Sequence, residues 1–87
     1  MKLKLKGSEA AAGTSSTNGS NVGLATLVRV HNAGTTQRLV SLETSAAALI
    51  GTFTIAPNAT ELLDKTSTDE VFAANAEVKL VGIAYYS

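Results

Sequence analysis

His31 is the single histidine in a chain of 87 residues that contains no cysteine and no tryptophan. A lone histidine can act as a general base or a metal ligand. As a base it needs a nucleophile or a paired carboxylate in reach, and as a ligand it needs partners. The sequence spacing supplies neither, so His31 reads as a surface or interface residue at the end of a strand. Asp64, Asp69 and Glu70 gather around Lys65. Acids so clustered could hold Ca²⁺, but their spacing is not that of an EF-hand loop and the ligand density is low. Capping of the Thr68 turn and surface ion pairs explain them instead. Gly7, Gly13, Gly19 and Gly23 match neither the P-loop nor the dinucleotide spacing. Tyr85 and Tyr86 could stack on a sugar ring or a base, yet neighbours on a strand point to opposite faces, so at most one serves a given surface. No residue is assigned to catalysis, to a cofactor or to a metal, and the chain reads as no enzyme.

Charge narrows the partners. Seven Lys and Arg are balanced by seven Asp and Glu, whereas nucleic-acid binding rests on an excess of bases that neutralise phosphates. The one local excess is Lys2, Lys4 and Lys6, alternating with Leu3 and Leu5. That alternation is an amphipathic strand with leucine on one face and lysine on the other. No apolar stretch of signal length follows the lysines, and nothing approaches the roughly 18–20 apolar residues of a membrane span. Neither a nucleic acid nor a membrane is expected as partner. The absence of cysteine excludes disulfides and suits a reducing compartment. Asn18-Gly19-Ser20 and Asn58-Ala59-Thr60 have the glycan-acceptor pattern but read as turn residues.

The elements that would position these residues are strands. Val22 to His31 places Leu24, Val28 and Val30 on one parity and Leu27, Arg29 and His31 on the other. Asn32-Ala33-Gly34 supplies a turn, and Thr35 to Glu43 returns as the second strand of an expected antiparallel hairpin. Leu49 to Ile55 is a strand ended by Pro57-Asn58, and Thr60 to Lys65 is another. Ser67 and Glu70 have capping-box spacing, which predicts a short helical turn near 68–74 that drops Phe72 into the core. Ala76 to Tyr86 is the longest strand, paired on both sides. Gly7 to Asn21 is rich in Gly, Ser, Thr and Ala, has no large apolar residue to offset its ordering entropy, and is expected to be a flexible arm.

Together these segments predict an all-β chain, a small antiparallel β-sandwich or jelly-roll-like barrel of about six to seven short strands. Residues 1–21 would form an N-terminal strand and arm, and 22–87 a compact β domain. A core with so few aromatics suggests burial against other copies or another protein. The candidate contact residues are Leu3, Leu5, Arg29, His31, Tyr85 and Tyr86.

Three segments carry a family resemblance: Leu27 to Gly34 (LVRVHNAG), Ile50 to Asn58 (IGTFTIAPN) and Thr68 to Lys79 (TDEVFAANAEVK). They resemble small virion structural proteins of tailed phages, especially those infecting cyanobacteria. The resemblance covers Leu27 to Tyr86 and rests on turn and core residues. It implies a structural role in a virion assembled in the host cytoplasm, with the major capsid protein or another virion protein as partner. A small neutral β domain with an arm suits a capsid decoration (cement) protein, acting as a homo-oligomer with a trimer favoured. The alternatives are a tail, baseplate or fibre component of the virion, and a carbohydrate-binding β-sandwich.

Overall fold

Strand alternation decides this architecture, because β3 buries Val28, Val30 and Asn32 while the residues between them stay partly exposed. The computed structural model describes residues 2–86, with side chains through Tyr85. Its strands are β1 Lys2–Leu5, β2 Ala10–Ala11, β3 Leu27–Asn32, β4 Arg38–Glu43, β5 Leu49–Ile55, β6 Thr60–Asp64, β7 Glu70–Ala73 and β8 Val78–Tyr86, with a 3-10 turn at Ser16–Asn18. All pairings are antiparallel. One sheet has the order β1-β8-β3-β6 with β2 also paired to β8, and the other has the order β5-β4-β7. Val28, Val30, Val78 and Leu80 of the first sheet meet Val40, Ile55, Val71 and Ala73 of the second in the core. The chain is therefore all-β, in the form of a small sandwich.

Among the described residues only β4 and β5 form a hairpin between neighbours in the chain, closed by Thr44 N donating to Ala48 O at 2.8 Å. The expected hairpin of β3 with β4 is not formed. β3 pairs with β6 and β8, and β4 lies in the opposite sheet. The reason is Asn32, which is fully buried. Its Nδ2 donates to Thr36 O at 2.8 Å and Ile55 O at 3.2 Å, and its Oδ1 accepts from Gly34 N at 3.0 Å. These bonds turn the chain across the core into the other sheet rather than back along β3. A buried amide so fully used is a structural linchpin.

The helical turn expected near 68–74 is also replaced. The turn exists at Thr66–Asp69, where Asp69 N donates to Thr66 O at 3.0 Å and Asp69 Oδ2 accepts from Thr66 N at 3.2 Å. From Glu70 the chain is strand, because Val71 and Ala73 alternate into the core and β4 offers a ladder. Phe72 consequently points to the opposite face and is only half-buried.

Residues 2–12, the expected strand and start of an arm, run the length of β8. Lys2 to Leu5 pair with Tyr86 to Ile83, Lys6 N donates to Gly82 O at 2.9 Å, and Ala10 and Ala11 pair with Leu80 and Lys79. Between them Gly7 to Glu9 bulge outward, absorbing two extra residues. The chain then passes to the other sheet: Ala73 N donates to Gly13 O at 2.9 Å, and Ser20 and Val71 exchange two backbone bonds at 3.0 and 2.8 Å. The segment expected to be a free arm is thus hydrogen-bonded to both sheets of its own chain, and Ala12 joins the core. Backbone ladders do not depend on large side chains, and alanine lets the chain lie close. A left-handed turn at Val22–Leu24 (φ 54°, 65° and 62°) then lays Ala25 against Gly82, where a Cβ would stand 2.8 Å from the Ala25 methyl.

Candidate functional site

The register gathers the predicted contact residues on one face. Arg29 lies between Val81 and Leu62, and His31 between Lys79 and Thr60. Leu3 stands opposite Tyr85, and Leu5 opposite Ile83. Val28 and Val30 point into the core, so their odd-numbered neighbours Arg29 and His31 point outward on the far side of the larger sheet. Leu3, Leu5, Arg29, His31 and Tyr85 therefore share a surface. The sixth candidate, Tyr86, has its side chain outside the described residues.

Val81 and Ile83 form the floor of this surface and are 3% and 2% exposed. Around them stand Leu3, Leu5, Leu62 and Tyr85, each more than 40% exposed. A cleft of ≈ 540 Å³ opens beside Leu3, Leu5, Ser8, Glu9, Arg29 and Val81. The Gly7–Glu9 bulge carries Glu9 to its rim, where the carboxylate meets Arg29 Nη1 at 3.1 Å. Both partners are substantially exposed, so this pair contributes little to stability.

The other end of the face is polar. His31 Nδ1 and Thr60 Oγ1 are 2.8 Å apart, and Lys79 Nζ donates to Ala76 O at 3.2 Å. Among the described residues no carboxylate bonds to the His31 ring, whose partner is Thr60. Of the cluster read around Lys65, Asp69 stays near the lysine while Glu70 belongs to β7. Lys65 is buried and donates to Thr66 O at 3.2 Å and Ser67 O at 3.1 Å. Burial pushes its pKa below the usual lysine range, an effect that nearby Asp69 partly opposes. Among the described residues no group of three or more His, Asp or Glu side chains could hold a metal, and no helix is long and apolar enough to cross a membrane.

Sequence reasoning missed Leu62, Val81, Ile83 and Glu9. Leu62 and Ile83 sit in strands recognised as such, but which sheet and neighbours those strands take is invisible in local pattern. Glu9 lay in the expected arm. No family model matches this chain, and no curated protein or solved structure matches it. What fold and site define together is a class: an all-β sandwich with an exposed apolar face.

Proposed function

We propose that this protein is a non-enzymatic structural component of a virion, a capsid decoration (cement) protein that binds the head shell through the outer face of its larger sheet. The observation that carries the reading is the group of exposed Leu3, Leu5, Leu62 and Tyr85 around buried Val81 and Ile83. An apolar centre with a polar rim, here Glu9, Arg29, His31 and Lys79, is the anatomy of a protein contact surface. The resemblance of Leu27 to Tyr86 to phage virion proteins supplies the setting. Because residues 2–20 are engaged within the chain, the contact comes from this face and not from a free arm. A trimer on the shell would multiply modest contacts into firm attachment.

Co-sedimentation of the purified chain with expanded phage heads tests this. Wild-type protein should bind in many copies per particle, and Leu5→Asp should weaken binding by about tenfold or more without changing the melting temperature. Electron microscopy that places the protein in one ring at the tail would replace the cement reading with the tail-component reading. Failure to bind particles, with the chain monomeric at high concentration, overturns the proposal.

A further inference from the structure

Glu43, on the central strand β4, is 2% exposed. Its Oε1 accepts a hydrogen bond from the Ser16 hydroxyl at 2.6 Å, while its Oε2 has no hydrogen-bond partner. The register sets Glu70 of β7 directly opposite Glu43. Both carboxylates also close on a single point. A Cβ built on Gly19 would stand 3.0 Å from Glu43 Oε2 and 3.2 Å from Glu70 Oε1. Among the described residues neither carboxylate has a basic partner, since the ion pairs are Arg29 with Glu9 and Arg38 with Glu77. Like charges opposed on neighbouring strands repel, and a buried carboxylate oxygen without a partner is costly unless positive charge meets it.

We infer that Glu43 and Glu70, with the Ser16–Gly19 turn, form a binding site for a divalent cation of the Ca²⁺ class. The donors are all hard oxygens: the carboxylates of Glu43 and Glu70 and the Ser16 hydroxyl. Because Gly19 has no side chain, both carboxylates can approach the turn this closely. Ca²⁺ takes its oxygens at about 2.3–2.6 Å and in flexible geometry, so one ion can bridge two carboxylates that converge on the same turn. With two carboxylates and water completing the shell, affinity falls in the weak range of about 10⁻⁴–10⁻³ M. The ion would join β4, β7 and the turn, clamping the N-terminal segment onto the smaller sheet. The site is independent of whatever the outer face of the larger sheet binds.

Calcium chloride titrated into the EDTA-treated full chain, followed by calorimetry and thermal denaturation, tests the site. The expected result is saturable binding and a melting temperature raised by about 8 °C at a roughly tenfold excess over Kd. Glu70→Gln and Gly19→Ala should both remove that shift while keeping a cooperative transition in EDTA. Gly19 has φ −61° and ψ 148°, a conformation open to alanine, so its substitution tests the space and not the backbone. No binding heat and no shift in the wild-type chain overturns the inference, as does an equal shift in both variants.

Discussion

Along one side of the sandwich residues 2–20 cover the free edges of β8 and β7, whereas along the other side β5 and β6 each pair with a single strand. On the covered side the backbone does the bonding, and beyond Lys6 the covering segment is mostly small residues. The open side relies on its own side chains. β6 is five residues long and carries Glu61 and Asp64, charges that discourage pairing with another chain. β5 is seven residues long, LIGTFTI, with no charge and with Leu49 and Ile50 exposed. The lesson is that a thin core is completed here by a strap on the side where the longest strand would otherwise lie bare. The opposite side is anchored at its end by one buried amide, Asn32.

Removing residues 2–12 should have the largest effect. It strips the ladder from β8 and takes Ala12 from the core, a loss of about 4 kcal/mol or more, which is most of the net stability of a domain this size. Circular dichroism melts of the 13–87 fragment check this, and a transition within a few degrees of the full chain would show that the strap seals nothing. On the open side, Asn32→Ala should cost about 2–4 kcal/mol by urea denaturation, because Thr36 O, Ile55 O and Gly34 N lose their buried partner. A cost below about 1 kcal/mol would mean that water replaces the amide and that the end of the sandwich is looser than described. The smallest effect is expected at the bare edge. Thr52→Lys on exposed β5 should change stability by less than about 0.5 kcal/mol, and sedimentation at high concentration should show less self-association than the wild type. A larger stability change would contradict the open-edge description.

Much of the strand inventory was legible. Leu49–Ile55 appears with the expected bounds, and the alternation of Val28 and Val30 against Arg29 and His31 correctly separated core from surface. The Leu/Lys alternation at the start became an edge strand with Leu3 and Leu5 on one face. Legibility failed where a local signal was compatible with two tertiary outcomes. Asn32-Ala33-Gly34 can close a hairpin or cross between sheets, and only the position of Ile55 O decides for the crossing. Ser67 and Glu70 can cap a helix, but the ladder beside β4 claims Glu70 to Ala73 as strand. The carboxylate pair was hidden for a like reason, since Glu43 is far in sequence from Glu70 and Ser16.

The sequence by itself determined an all-β chain, which residues turn inward along strands such as β3, and the scarcity of reactive side chains. These follow from period-two alternation and composition, both local properties. Tertiary structure alone decided which strands are neighbours, that residues 2–20 close the sandwich, that Leu3, Leu5, Leu62 and Tyr85 share a face with Arg29, and that Glu43 is buried against Glu70. The physical reason is that strand pairing runs through backbone groups that every residue but proline possesses. Side-chain pattern can therefore orient a strand, while its partner is chosen by how the whole core packs.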